Sequence, residues 1–174
     1  AGVTIAVVDA AFYPHPDLAT PWSRIRAWVD AGTPQVRVRR FERSARPSWP
    51  GWDLGRPWQW HGLMTSAVAA GNGALSHGLY RGMAPDAELV LVQVRDPNGR
   101  ITNAGIVRAL RWLHREGPAL GVRVVNLVWR HLATLDPGAP VFVIGEPPLV
   151  AELRAHGFAV RPDHRVRWVV IAFD

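Results

Sequence analysis

Two residues of this sequence have the types and the placement for proton-transfer chemistry, Asp9 and His61. The run Val3-Thr4-Ile5-Ala6-Val7-Val8 is apolar and β-branched, which predicts a buried strand, and Asp9 stands at its C-terminal tip. Trp60 to Gly71 reads as a helix of small residues whose first turn presents His61. A carboxylate that orients an imidazole, and stabilises it once it has taken a proton, is two thirds of a Ser-His-Asp hydrolase site. The third group has no candidate among the five serines. Ser23, Ser44 and Ser48 fall in loop-like sequence, Ser66 lies inside the histidine helix, and Ser76 follows the Gly71-Asn72-Gly73 turn. None follows a strand and opens a helix, as an exposed nucleophile would. Asp9 and His61 are therefore read as an incomplete, vestigial triad. General-base help without a nucleophile contributes only about 10² to 10⁴-fold.

The elements that must position the pair alternate between apolar runs and helical patterns, which predicts a parallel sheet covered on both faces. Strands are expected at Val3–Asp9, Arg24–Val29, Val36–Phe41, Glu88–Val94 and Val122–Val128. One helix is expected from about Gly62 to Ala70. Another, capped by Thr102 or Asn103, would place Ile106, Val107, Leu110 and Leu113 on one face and stop near Gly117-Pro118. Ser44 to Gln59, with prolines at 47, 50 and 57, reads as a loop. Beyond Asp136-Pro137-Gly138 the pattern gives a strand at Val141–Ile144, a helix at Leu149–Ala155, and strands at Phe158–Val160 and Val166–Phe173.

From Gly2 to about residue 129 the chain resembles a subtilisin-like serine protease. Val7-Val8-Asp9-Ala10-Ala11-Phe12 with His15-Pro16-Asp17-Leu18 is similar to that family's aspartate block, which usually has Thr-Gly at Ala10-Ala11. His61-Gly62 and the small residues to Gly71 are similar to the histidine block. Tyr80-Arg81-Gly82-Met83-Ala84-Pro85-Asp86-Ala87-Glu88-Leu89 resembles the link into the next strand. Gly121-Val122-Arg123-Val124-Val125-Asn126-Leu127 resembles the strand that normally continues into Ser-Leu-Gly. The resemblance assigns Asp9 and His61 as triad carboxylate and base; the serine block and the Asn-bearing oxyanion block have no counterpart. Residues 138–174 instead resemble the middle of a haloacid-dehalogenase-like phosphatase of the nitrophenylphosphatase type, without its catalytic motifs. Taken together, these readings describe a chimeric or engineered α/β scaffold without efficient catalysis. The expected fold is a single three-layer α/β/α domain over residues 1–174, with a mostly parallel Rossmann-like or subtilisin-like sheet. Residues 1–135 form its subtilase-like part and 136–174 its phosphatase-like part.

Composition narrows the rest. With 174 residues, 48% of them hydrophobic, the chain can bury a core without disulfide or metal. The absence of cysteine removes thiol catalysis and cysteine metal sites. His15, His77, His114, His131, His156 and His164 lack ligand spacing, so no metal and no cofactor is expected. No apolar run reaches the roughly 18 residues of a membrane span, and compartment stays unassigned. The net charge of +6 comes from 20 arginines and no lysine. Arg37, Arg39, Arg40, Arg43 and Arg46, with Trp49, Trp52, Trp58 and Trp60, could form a peptide or nucleic-acid surface. A solvated arginine-rich edge, with rings covering the sheet, is the favoured reading, leaving weak peptide binding as the residual partner expectation. A weak hydrolase and an Arg/Trp-rich binding module are the two alternatives to the silent scaffold.

Overall fold

A computed structural model describes residues 2–42, 58–128 and 167–171. Along these the chain forms β1 (Thr4–Asp9), α1 (Pro16–Ala19), β2 (Ile25–Asp30), β3 (Arg37–Arg40), α2 (Gln59–Ala70), β4 (Glu88–Gln93), α3 (Asn103–Glu116), β5 (Val122–Val128) and β6 (Arg167–Ile171). The strands make one sheet in the order β3-β2-β4-β1-β5-β6. All neighbours are parallel except β2 and β3. Only six residues separate those two strands, enough for a hairpin and too few for a parallel crossover. β1 lies centrally between β4 and β5, where the chain turns from filling one side of the sheet to filling the other. In open α/β sheets, ligands gather at the carboxyl ends of strands beside such a switch.

Each face of the sheet carries its own core. Ala6, Val8, Ala27, Val29, Val90, Val92, Val125 and Leu127 pack with α3 through Ile106, Ala109, Trp112 and Leu113. On the other face Val7, Ile25, Leu89 and Leu91 pack with Phe12, Leu18 and Ala70, and with the partly buried Leu63 and Ala69 of α2. The arrangement is the three-layer α/β/α fold with a mostly parallel sheet that the alternation predicts.

Several boundaries differ from expectation for identifiable reasons. α2 opens at Gln59 instead of Gly62, drawing the last residue of the expected loop into its first turn. The buried face of α3 centres on Gly105, Ile106, Ala109, Trp112 and Leu113, while Val107 and Leu110 are only half-buried. The i, i+1, i+4, i+7, i+8 stripe is the better 3.6-residue fit, because Ala109 and Trp112 fall between the aliphatic residues that suggested the other face. Thr102 is the helix cap, accepting the Gly105 N–H at 3.1 Å. β6 extends the sheet from β5 in parallel, so residues on both sides of 136 share one sheet. The expected elements at Val141–Ile144, Leu149–Ala155 and Phe158–Val160, and nearly all of the Ser44–Gln59 loop, lie outside the described residues.

One buried cation ties the α2 face together. Arg24 is 8% exposed, and its guanidinium donates to the carbonyls of Asp17, Ala70, Pro85 and Ala87. These belong to α1, the end of α2, and the approach to β4. Burial pushes Arg24 below the ordinary guanidinium range, and Asp86 and Asp17 draw it back.

Candidate active site

Strand alternation decides which side of the sheet Asp9 serves. Successive side chains point to opposite faces, so Ala6 and Val8 turn toward α3 while Val7 and then Asp9 turn toward α2. On that side α2 comes unusually close. A Cβ at Gly62 would stand 2.2 Å from the Ala11 carbonyl oxygen and 2.9 Å from the Phe12 ring. Ser66 and Ala70, one and two turns further on, are also buried. This row of small residues lowers α2 onto the sheet, and His61, beside Gly62, arrives at the tip of β1.

His61 Nδ1 lies 2.8 Å from both Oδ1 and Oδ2 of Asp9. An ionised carboxylate can only accept, so Nδ1 carries the proton and Nε2 keeps its lone pair. The Ala10 N–H donates to Oδ1 at 2.6 Å, and the Thr65 hydroxyl to Oδ2 at 3.0 Å. The Asp9 side chain is 3% exposed and that of His61 is 36%, so the acid is sealed while the base reaches solvent. Trp60 stands against the His61 ring edge to face, with centroids 5.5 Å apart and planes at 69°. The arrangement can orient an imidazole, accept a proton at Nε2, and stabilise the resulting cation.

Gly62→Ala tests the close approach. Its methyl group would meet backbone at Ala11, which cannot rotate away, so α2 must lift. We expect a loss of about 1–3 kcal/mol in chemical denaturation, the usual cost of overpacking, with weakening of the His61–Asp9 bond read from the His61 ring resonances. A variant with unchanged stability and ring signals would show that α2 does not depend on glycine there.

The other candidate residues have structural roles. His15 caps α1, its Nδ1 accepting the Asp17 N–H at 3.2 Å. His77 occupies a left-handed turn with φ 50°, and His114 lies in the last turn of α3. His131, His156 and His164 lie outside the described residues. Ser23 and Ser66 are buried, and Ser66 directs its hydroxyl at the Gly62 and Leu63 carbonyls. Ser76 accepts the Tyr80 N–H and donates to Gly73. Ser44 and Ser48 are not among the described residues. Among those residues no group of three acidic or imidazole side chains could hold a metal, and no helix is long and apolar enough to cross a membrane. On β3, Arg37 pairs with Asp30 and Arg40 with Glu116, so two cations of the basic cluster are engaged within the fold.

A profile described as "Subtilase family" matches residues 1–142. The chain belongs to the subtilase family. It is 36% identical over 111 residues to serine protease AprX of Bacillus subtilis (strain 168), a match that covers 64% of this chain and 21% of the relative. The subtilase chain thus spans about a fifth of that relative's length. Among solved structures it resembles the CspB protease of Clostridium perfringens at a TM-score of 0.57 and 19% identity, covering 74% of this chain and 29% of that one. It also resembles the psychrophilic protease S41 at a TM-score of 0.56 and 21% identity, covering 99% and 45% respectively. These two likenesses establish the fold. The family match runs through residue 142, past residues 135 and 136, where the subtilase-like part is expected to give way to a phosphatase-like one.

Thr65 is the site residue that sequence reading missed. Its type is not that of the nucleophile such a site lacks. The one signal for it is its place four residues after His61, a spacing that puts both side chains on one helix face.

Proposed function

We propose that this subtilase chain provides the acid–base half of a serine-protease site, with Asp9 orienting His61 as general base, and that alone it does not turn over peptides. The reading is carried by one observation, the 2.8 Å bond from Nδ1 of a part-exposed His61 to a buried carboxylate. Among the described residues no hydroxyl is bonded to His61 Nε2, and the three described serines are engaged elsewhere. A complete protease would take its nucleophile and oxyanion donors from sequence beyond this chain. The chain's limited span of its relative accords with that.

The resemblance of residues 138–174 to a phosphatase, and with it a chimeric origin, rests on sequence pattern alone. The family match runs to residue 142 and lends that chimeric reading no support. On this reading residues 1–174 form one α/β unit, with β6 closing the sheet beside β5.

Hydrolysis of a peptide ester and an activated acyl ester by the purified chain separates the readings. The expected result is no peptide-ester cleavage. Cleavage lost in His61→Ala would overturn the silent reading. The solvent reach of His61 favours weak water activation as the second reading, and equal acyl-ester rates in the unsubstituted chain and Asp9→Asn would eliminate it.

A further inference from the structure

We infer that Thr65 is a positioning residue for the Asp9–His61 pair, its hydroxyl acting as the second of two donors that fix the carboxylate plane. The inference rests on the reading of that pair as orienting acid and base.

A carboxylate as buried as Asp9 needs a donor for each oxygen, since an unpartnered buried charge is strongly disfavoured. His61 Nδ1 cannot satisfy both fully: it is 2.8 Å from each, and its single N–H is shared between them. The backbone fixes one side, where the Ala10 N–H meets Oδ1 at 2.6 Å. Ala10 has no hydroxyl to offer Oδ2. That donor comes instead from α2, where Thr65 Oγ1 stands 3.0 Å from Oδ2. With one donor beyond each oxygen, rotation of the carboxylate about its Cβ–Cγ bond breaks at least one bond, and the symmetric seat for the imidazole is held.

Thr65 also has an alternative acceptor. Its hydroxyl lies 3.1 Å from the Gly62 carbonyl, the back-bond that helical threonines commonly make. One proton cannot fully serve both. A bond to an ionised carboxylate is roughly twice as strong as one to a neutral carbonyl, so the proton goes to Asp9 while that group is charged. Thr65 and His61 leave the same helix one turn apart and converge on the same carboxylate. The base and the device that holds its orienting acid therefore move as one body.

The test uses the full chain labelled with ¹⁵N and ¹³C, as the unsubstituted protein and as Thr65→Val, Thr65→Ser and Asp9→Asn. Valine keeps the shape and removes the hydroxyl; serine restores the hydroxyl. In Thr65→Val, solvent exchange of the His61 Nδ1 proton is expected to rise about tenfold, as losing one charge-assisted hydrogen bond permits. The Asp9 carboxyl ¹³C resonance should move with it, and both signals should return in Thr65→Ser with the backbone spectrum preserved throughout. An unchanged His61 Nδ1 proton in a folded Thr65→Val, where Asp9→Asn abolishes that signal, overturns the role of Thr65 and leaves the pair standing. If Asp9→Asn also leaves it unchanged, the reading of the pair itself fails. Should Thr65→Val not fold, the unsubstituted chain decides: a hydroxyl proton on Thr65 coupled to the Asp9 carboxyl carbon supports the inference, and its absence overturns it.

Discussion

Asp9→Asn, in a form of this subtilase chain joined to a segment that supplies the nucleophile, is expected to lower kcat by about 10⁴-fold with little change in KM. The reason lies in the donors around the carboxylate. The Ala10 N–H can meet only an oxygen, so the asparagine carbonyl takes the Oδ1 position and its NH₂ group takes the other. Thr65 tolerates that exchange by accepting from the amide and donating to the Gly62 carbonyl. His61 does not. Its Nδ1 now faces an amide N–H, which favours the tautomer with the proton on Nε2, and the negative charge that stabilised the imidazolium is gone. Steady-state kinetics, with ¹⁵N ring shifts to report the tautomer, check both parts. An unchanged kcat would show that Asp9 does not orient the base.

The second large effect falls on stability and concerns Arg24. Replacing it with Met, which keeps much of the apolar stem, takes the guanidinium donor from the carbonyls of Ala70, Pro85 and Ala87 and leaves that of Asp17 with the Asn72 N–H. Leaving a buried carbonyl without a partner costs about 1–3 kcal/mol, so losing several at once removes a large part of the roughly 5–15 kcal/mol that holds a typical domain together. Denaturant titration should therefore show a strongly reduced midpoint. Because Ala70 ends α2 and Asp17 belongs to α1, the His61 ring signals should broaden before the global transition. Arg24→Lys is expected to recover only part of the loss, since one ammonium cannot fan out to carbonyl acceptors on several elements. A midpoint within experimental error of the unsubstituted chain would remove Arg24 from the account.

The elements that carry the pair were legible because their signals are local. β1 and β4 are largely apolar runs rich in β-branched residues, β5 matches its expected bounds, and Thr102 caps α3 by ordinary side-chain chemistry. Less legible was anything set by contact across distance. The antiparallel course of β3 follows from a short connection whose pairing only the assembled sheet reveals. The clasp at Arg24 joins segments more than sixty residues apart, and no periodicity marks it. Thr65 escaped because threonine in a helix is ordinarily silent, and its partner lies fifty-six positions away. In the described site, the acid and the base were visible as residue types at characteristic places, while the groups that hold them in register were not.

The parity of β1 links chain length to chemistry. Asp9 faces α2 only because it stands an even number of residues from Val7 and Ile5 along the strand, so adding or removing one residue between Thr4 and Val8 would swing the carboxylate to the opposite layer, beneath α3. Side-chain identity in that stretch is free to drift among aliphatics of similar bulk, whereas its count is not. In evolution or in design, this strand should accept substitutions readily and reject single insertions outright.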